Sequence, residues 1–367
     1  MTSPRVHSSV QALREDWDGE LRQHWYIAAL SKELGGDRPI GRTLYGKHYA
    51  LFRDGAGNVQ ALEDRCLHRG TKLSEGRCVQ GGLGCPYHGW VYDSDGCVVD
   101  IPSEGPRSPE LEASIRSRRW TVPKTEVVEQ DGVIWLWAGA GSPDPVTPSW
   151  RFPHAGDPRW PQYFMVTDFS NEVTHLVQNF MDVPHTVFVH SKWFRDRALK
   201  QVPYDLEVGE GRVKATYHQP NDVIGGVMKW VINPGNLPMV HTDEFIFPNL
   251  TRVDYLFGEN GFVVNSQCTP VDRWTTRVYT WIAYRGSWIA PWIRPVVRLY
   301  TRRVIEQDVE IMENQGSNLQ RFGGDSAWKS TAADEIHLAI ARMREAGVSD
   351  RKSVYTPKTR KERLFWI

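Results

Sequence analysis

Two short motifs of cysteine and histidine constrain this 367-residue chain more than any other feature. Cys-Leu-His occupies residues 66–68 and Cys-Pro-Tyr-His occupies residues 85–88, and sixteen residues separate His68 from Cys85. Four of the five cysteines fall within 32 positions, and the polar opening segment lacks the apolar stretch of a secretion signal. We therefore expect metal ligands in a reducing compartment rather than a disulfide framework.

The ligand types and their spacing favour one kind of metal centre. Cys-x-His is too short for the cysteine and histidine pairs of a zinc finger. Two thiolates and two imidazoles suit a [2Fe–2S] cluster in which the thiolates hold one iron and the imidazoles hold the other. The predicted ligands are Cys66, His68, Cys85 and His88. The alternatives are a structural zinc site, or buried cysteines and surface histidines that bind no metal.

Short strand patterns surround the two motifs. Alternating apolar residues with turn signals, such as Asp-Ser-Asp-Gly at 93–96, predict a small antiparallel β domain over residues 22–140, after an N-terminal segment at 1–21. Six prolines then follow in a short stretch. Because proline continues neither a ladder nor a helix, we place a linker at 141–162.

The rest of the chain predicts a second domain over residues 163–350, followed by a basic C-terminal tail at 351–367. The predicted elements are a helix-type segment at 163–193, β-rich runs within 203–285, and helices at 296–319 and 331–346. Strands followed by helices, rather than strict alternation, indicate an α+β fold.

A second pair of histidines lies early in this domain. His185 and His190 can supply two ligands of a 2-His-1-carboxylate triad, which leaves positions open on Fe(II) for O₂ and substrate. On a regular helix these positions point about 140° apart, so we expect the helix to be distorted here, and Pro184 already disfavours a straight one. Asp182 lies three residues before His185, where its carboxylate is expected to orient the imidazole. Alone, this histidine spacing also suits a structural role.

The sequence CLHRG, followed by CPYHGWVYDSDGCVVDIP, resembles the Rieske domain of Rieske non-haem iron oxygenases. HWYIAALSKEL at 24–34 resembles the segment that opens that domain. Rieske proteins of the cytochrome bc type carry an extra cysteine pair at the positions that are Thr71 and Tyr87 here. The oxygenase branch is therefore the better match.

The second histidine pair is similar to the mononuclear-iron motif of the same family. The matching residues are Asn179, Asp182, His185 and His190. Gln178 departs from the pattern, because many members carry Glu there. The family's late helix has an acidic ligand followed five residues on by Glu and seven on by Gln, a register that Asp308, Glu313 and Gln315 fit. The resemblance thus implies Asp308 as the third ligand.

The resemblance also implies the architecture of the whole chain. An N-terminal all-β Rieske domain should precede a helix-grip, START-like catalytic domain with a curved antiparallel sheet. The terminal oxygenase component, of the type with α subunits only, should form a ring-shaped homotrimer. In that ring His88 of one subunit faces the iron site of its neighbour, and Asp182 bridges it to His185 as an electron path.

The electrons must reach the chain from another protein. It has no GxGxxG opening a βαβ unit and no ferredoxin cysteine spacing. We expect NAD(P)H electrons to arrive through a separate reductase, with or without a ferredoxin. Basic residues around the cluster would suit an acidic partner, although an ordinary solvated surface is the alternative. These residues are Arg65, Arg69, Lys72 and Arg77.

The expected substrate is an apolar, ring-containing organic molecule, hydroxylated or oxidatively demethylated. Aromatic residues dominate the strands expected to line the pocket, with few polar groups to orient the substrate. The predicted pocket residues are Trp230, Phe245, Phe247, Asn249 and Tyr255. The alternatives are a ring-dihydroxylating dioxygenase of the carbazole type and a Rieske electron carrier without catalytic activity.

Composition argues against other partners. The 44 basic and 44 acidic side chains balance to a formal net charge of zero, whereas proteins that grip nucleic-acid phosphates concentrate excess Lys and Arg. No apolar run approaches the roughly 20 residues needed to span a bilayer. We expect a cytoplasmic protein without nucleic-acid or membrane partners.

Overall fold

The computed structural model describes residues 19–191, 201–218, 232–286, 292–324 and 328–366. The chain divides into two compact units. One unit is Arg22–Trp150, and the other contains Arg151–Ile367 together with the residues before Arg22. The division falls inside the proline-rich segment 141–162.

The unit Arg22–Trp150 contains three small antiparallel sheets. The first sheet has the order β1 (Trp25–Leu30), β11 (Val133–Trp137), β10 (Val127–Gln130). The second has the order β2 (Ile40–Leu44), β3 (Lys47–Arg53), β4 (Val59–Glu63), β9 (Lys124–Thr125). The third has the order β5 (Arg77–Val79), β6 (Gly82–Gly84), β7 (Val91–Tyr92), β8 (Val98–Asp100). The predicted antiparallel β architecture is confirmed, with one short helix, α1 (Pro109–Ser117), after β8.

These strands place the two Cys/His motifs on neighbouring loops. The first motif follows β4, and the second lies between β6 and β7. Both cysteines belong to one hydrophobic cluster with Phe52, Leu83 and Tyr92, which are fully buried. The base of each ligand loop is therefore fixed by the core of the unit, while the loop tips reach its surface.

The second unit is built on one eight-stranded antiparallel sheet with the order β12-β18-β17-β16-β15-β14-β13-β19. Its strands are β12 (Gln162–Phe169), β13 (Gln201–Gly209), β14 (Arg212–Tyr217), β15 (Val240–Ile246), β16 (Leu250–Phe257), β17 (Asn260–Asp272), β18 (Thr275–Arg285) and β19 (Thr359–Trp366). The α-helices of its described part are α2 (Val173–Asn179), α3 (Arg294–Arg321) and α4 (Glu335–Ser349). The predicted α+β class is confirmed.

Two segments differ from the predicted elements. Residues 162–169, expected to be helical, form the edge strand β12, which pairs with β18 over eight residues. Residues 359–366, assigned to a C-terminal tail, form β19 at the opposite edge, where they pair with β13. In both cases the backbone hydrogen bonds come from strands far along the chain, which local periodicity does not reveal.

The long helix α3 lies very close to the loop that precedes α2. The side-chain amide of Asn171 donates to the carbonyl of Met312 and to Oε1 of Gln315, both at 2.9 Å. A Cβ added at Gly316 would lie 2.2 Å from the carbonyl oxygen of Ser170. Only glycine fits this contact without a shift of the backbone.

Gly316→Ala should therefore destabilise the protein, although alanine is the better helix former. Relief of the clash with Ser170 requires a backbone shift, which typically costs about 1–3 kcal/mol. Urea unfolding followed by circular dichroism should give a lower midpoint for this variant. Asn318→Ala, at an exposed position of the same helix, is the control and should leave the midpoint unchanged. Equal midpoints for both variants would contradict the close contact.

In the described part of the chain, no helix combines the length and the apolar character needed to cross a membrane.

Candidate metal centres

The same backbone turn closes both ligand loops of the first unit. The amide of Gly70 donates to the carbonyl of Cys66 at 2.9 Å, and the amide of Gly89 donates to the carbonyl of Cys85 at 3.1 Å. The two glycines have φ values of +73° and +74°, a left-handed conformation that side chains disfavour. Each cysteine thus begins a turn that a glycine ends, and each histidine lies inside the turn.

The four predicted ligands lie close together at these turns. Cys66 and Cys85 are buried, whereas the ring of His88 is exposed and its centroid lies 4.5 Å from that of His68. The Nδ1 atom of His68 is enclosed and has no hydrogen-bond partner among the described residues. Since a buried polar atom without a partner is costly, this nitrogen is an open position for a ligand.

The electrostatics of the loops keep the imidazole of His68 neutral and the thiol of Cys85 protonated until a metal binds. Burial raises the pKa of the Cys85 thiol overall, although hydrogen bonds from the backbone amides of Tyr87 and His88 lower it. Burial, and then the neighbouring His88 and Arg69, lower the pKa of His68. The imidazole is therefore held neutral, the form that binds metals. A metal would deprotonate the thiol, as thiolate ligation requires.

The spacing of these four donors fits a group larger than one ion. A single tetrahedral zinc, with bonds of about 2.0–2.3 Å, would draw four donor atoms together around one point. Among the described residues, one group of three Cys, His, Asp or Glu side chains has ligand atoms within 4.8 Å of one another. That group lies in the second unit and contains none of these four donors. A cluster that holds thiolates on one iron and imidazoles on another spans more. The donors therefore fit [2Fe–2S] better than zinc.

The second centre is formed where a helix breaks. Helix α2 ends at Asn179, and a short 3-10 helix follows at Pro184–Val187. The distortion predicted between His185 and His190 is confirmed, because no regular helix joins them. The chain instead turns, so both imidazoles point to the same place. Asp308 reaches that place from the middle of α3 and is buried.

The donor atoms of these three side chains form a nearly equilateral triangle. The Nε2 atoms of His185 and His190 lie 3.2 Å apart, and Oδ1 of Asp308 lies 3.4 and 3.2 Å from them. Such a triangle has its centre about 1.9 Å from each corner, close to the roughly 2.0–2.1 Å of metal–nitrogen bonds. The three donors fit one first-row metal ion, and on iron they leave further positions open.

The charges of the group also suit a cation. Burial works against the carboxylate, yet the imidazoles of His185 and His190 hold the pKa of Asp308 at about 2. Burial likewise works against a charged His185, but the Asp308 carboxylate raises its pKa overall. The group is therefore built to hold one positive charge at its centre.

Neighbouring residues orient the three donors. The side-chain amide of Asn179 donates to Oδ1 of Asp308 at 3.1 Å. Nδ1 of His190 lies 3.0 Å from Oε1 of Gln307, so its N–H donates there and the lone pair of Nε2 faces the centre. Gln307 was not predicted. The signal that could have found it is its position directly before Asp308 on the same helix.

Asp182 orients His185 through its backbone. Nδ1 of His185 donates to the carbonyl oxygen of Asp182, whereas the carboxylate lies 3.9 Å from that nitrogen. The prediction that the carboxylate orients the ring is therefore wrong. Because Asp182 lies three residues before His185 in a turn, its backbone carbonyl contacts the imidazole. Its carboxylate remains available for another partner.

The predicted pocket residues separate into different surroundings. Phe245 and Phe247 belong to the hydrophobic core, and Phe247 packs against α4 at Gly347. Oδ1 of Asn249 accepts a hydrogen bond from the buried Arg344, which supports the interior instead of facing a pocket. Trp230 lies outside the described residues.

Tyr255 lies in a different polar and aromatic layer. Its ring stacks on His241 at 4.4 Å, and Tyr217 stacks on the other side of His241 at 4.5 Å. Nε2 of His241 lies 2.9 Å from the carboxylate of Asp243, and both residues are buried. This buried polar pair lies beside the rings of Tyr217 and Tyr255.

Two protein families match the chain in succession. The Rieske [2Fe-2S] domain matches residues 24–123, and the vanillate O-demethylase oxygenase C-terminal domain matches residues 172–348. The first match contains both Cys/His loops. The second contains the triangle of His185, His190 and Asp308.

Curated relatives match over part of their length. The dicamba O-demethylase oxygenase component of Stenotrophomonas maltophilia is 34% identical over 223 residues, which are 60% of this chain and 62% of that protein. Protein TIC 55 of Arabidopsis thaliana is 32% identical over 194 residues, which are 52% of this chain and 34% of that protein. The matched region of this chain thus covers between about a third and slightly less than two thirds of the length of these relatives.

Solved structures share the fold over nearly the whole chain. Dicamba monooxygenase bound to dicamba superposes with a TM-score of 0.73 at 24% identity, over 89% of this chain and 97% of that chain. Pseudomonas putida CBB5 NdmB gives a TM-score of 0.72 at 20% identity, over 94% and 99%. With both domain families present in this order, the chain belongs to the Rieske non-haem iron oxygenases.

Proposed function

We propose that this chain is a terminal oxygenase component that oxidises an apolar, ring-containing organic substrate with O₂. The observation that carries the proposal is the triangle of His185, His190 and Asp308, a 2-His-1-carboxylate set suited to Fe(II). We assign Cys66, His68, Cys85 and His88 as the ligands of the [2Fe–2S] cluster. When bound, the cluster supplies single electrons and the iron activates O₂.

The surrounding side chains prepare the iron ligands for this task. The Asp182 carbonyl accepts a hydrogen bond from Nδ1 of His185, and the Gln307 side chain accepts one from Nδ1 of His190. Both rings therefore direct Nε2 to the same point, and neither ring has to rotate for a metal to enter. Asn179 holds the carboxylate oxygen that completes the set. The three side chains would hold an iron ion and leave coordination positions free for O₂.

The substrate class rests on the relatives and on the interior of the sheet. Relatives include aminopyrrolnitrin oxygenase PrnD of Pseudomonas fluorescens and chlorophyllide a oxygenase of Chlamydomonas reinhardtii, whose names refer to ring compounds. The stacked rings of Tyr217, His241 and Tyr255 offer aromatic surface next to the buried carboxylate of Asp243. We infer an apolar, ring-containing substrate that is hydroxylated or oxidatively demethylated.

Ring dihydroxylation is a second candidate reaction. The 3-chlorobenzoate-3,4-dioxygenase oxygenase subunit of Comamonas testosteroni is 38% identical over 122 residues. The two reactions differ in oxygen count, since a dioxygenase transfers both atoms of O₂ to the ring. Mass spectrometry of products formed under ¹⁸O₂ would distinguish them.

We further propose a separate redox partner and a homotrimer. An external reductase, alone or with a ferredoxin, would supply NAD(P)H electrons to the cluster. A trimer would bring His88 of one subunit to Asp182 of the next, so that turnover depends on assembly. Analytical ultracentrifugation should therefore find three chains per particle, whereas a stable active monomer would contradict this arrangement.

Single-turnover analysis of the prereduced protein tests the proposed function. Anaerobically loaded protein should contain about three Fe per chain, two in the cluster and one in the triangle. After addition of O₂, one product should form from a panel of aromatic and methylated substrates. A chain with about two Fe that forms no product would instead be an electron carrier. Colourless protein with zinc alone would exclude both functions.

Asn179→Ala should weaken iron binding without removing a ligand. Loss of the amide frees the Asp308 carboxylate to rotate, and residues that support metal ligands typically change affinity by about 10–100-fold. Chelator competition should report this change for the mononuclear iron, while the absorbance of the cluster stays constant. Gln178→Ala is the control, because the Gln178 amide donates to the His337 carbonyl instead. If the Asn179→Ala variant bound iron with unchanged affinity, the proposed role of Asn179 in the site would be rejected.

A further inference from the structure

A ladder of parallel rings leads from one cluster ligand to the surface of the first unit. The rings of His68 and Trp90 are stacked with centroids 4.9 Å apart and planes inclined by 5°. Trp90 and Trp120 are stacked in turn, at 5.5 Å and 4°. Trp120 is 41% exposed. Three stacked rings therefore connect the proposed cluster ligand His68 with the solvent.

The outer ring of the ladder is held in place. The backbone carbonyl of Trp120 accepts a hydrogen bond from Val98 at 2.9 Å. The guanidinium of Arg118 lies 5.0 Å from the centroid of its indole, a cation–π contact. Glu104 fixes that guanidinium by two hydrogen bonds of 2.6 Å. The indole is thus both exposed and immobilised, which suits a contact surface because little order is lost on binding.

Exposed apolar side chains collect around the same ligands. Leu67 is 47% exposed and Tyr87 is 64% exposed, and each lies inside a ligand loop. The exposed side chains of Leu67, Tyr87 and Trp120 are together called the apolar patch here, because the first two lie in the ligand loops and Trp120 is linked to His68 by the stacked rings. Exposed apolar surface rimmed by charge is typical of a protein interaction site.

The ligand loops and their flanks carry four positive charges that are unpaired among the described residues. Exposed cations of the ligand loops and their flanks form no ion pair with any residue that the structure describes. These residues are Arg65, Arg69, Lys72 and Arg77. A partner with a negative surface would be attracted to this face and oriented on it.

We propose that Trp120 is the residue on which an acidic [2Fe–2S] ferredoxin docks, and that its electron enters the cluster through Trp120, Trp90 and His68. In this step the reduced ferredoxin centre loses one electron and the oxidised cluster gains it, with no bond made or broken and no proton moved. Entry at His68 leaves the exposed ring of His88 for the outgoing electron. The inference rests on the proposed function, since it presumes a cluster that an external donor reduces.

Rapid-mixing reduction of the oxidised holoprotein tests the ladder. With a photoreduced plant-type [2Fe–2S] ferredoxin as donor, Trp120→Leu should slow the bleaching of cluster absorbance at least tenfold. Trp120→Phe, which keeps a stacked ring, should recover most of the rate. Dithionite, a small reductant that needs no docking surface, should reduce all variants equally, and the midpoint potential should not change. Trp292→Leu, which removes an exposed indole from the second unit, is the matched control.

Three outcomes would overturn the inference. Reduction of Trp120→Leu at the wild-type rate would remove Trp120 from the path. Equal slowing with ferredoxin and dithionite, or a shifted potential, would make the ladder a support of the cluster alone. A wild-type protein that dithionite reduces but ferredoxin does not would refute the assigned donor. Prereduced Trp120→Leu should still form product in a single turnover, whereas failure of the prereduced wild type to do so would reject the proposed function instead.

Discussion

Asp308→Ala is expected to empty the mononuclear iron site and to abolish product formation, while the [2Fe–2S] cluster stays intact. The carboxylate is the only acidic corner of the described triangle, and its loss leaves two imidazoles without the charge that balances a cation. Iron should fall from about three to about two per chain. Single-turnover product should fall at least about a thousandfold, more than the 10–100-fold typical of residues that merely support a ligand.

Iron analysis, cluster absorbance and product yield together measure this effect. Glu310→Ala, at an exposed position two residues further along the same helix, is the control and should retain iron and activity. If Asp308→Ala kept three Fe and formed product, another group would have to be the third ligand. The assignment of the triangle would then be wrong.

Asp182→Asn is expected to leave both metal sites loaded and still reduce steady-state turnover by about a hundredfold or more. The His185 ring is held by the backbone carbonyl of Asp182, which the substitution preserves. Its carboxylate lies 3.9 Å from the ring and is partly exposed, which suits a bridge to a neighbouring subunit. The neutral amide would keep the shape of the bridge but lose the charge that binds a protonated imidazole.

The measurement is the rate at which the reduced cluster reoxidises in the presence of substrate and O₂. Slow reoxidation with full iron content would support the bridge. Asp168→Asn, which breaks an exposed ion pair with Arg277, should leave that rate unchanged. Full activity of Asp182→Asn would reject the bridging role, and loss of iron would show that the carboxylate supports the site itself.

The proposed metal ligands were accessible from sequence because their chemistry limits the choice of residue. Few side chains bind iron, so Cys66, His68 and their counterparts on the second loop stood out by type and spacing. His185 and His190 were equally visible, and the impossibility of a regular helix between them followed from helix geometry alone. Asp308 required the register of a known family, since four acidic residues share its segment.

What the sequence could not provide depends on contacts between distant segments. The strand at 162–169 is fixed by its pairing with β18, more than a hundred residues later. Whether the carbonyl or the carboxylate of Asp182 meets His185 depends on the exact turn. Asn249 was expected in a pocket, but the partner that binds it, Arg344, comes from α4. Local sequence patterns do not show which distant group contacts a given residue.

The twin turns that end at Gly70 and Gly89 separate two tasks within each ligand loop. The backbone hydrogen bond and the glycine shape the loop, and the cysteine and histidine are the proposed metal ligands. Leu67 and Tyr87, the residues directly before the two histidines, do neither. An engineer who wishes to rewire this chain to a foreign reductase therefore has two sites for a focused library, at which recognition can evolve while the redox centre beneath stays constant.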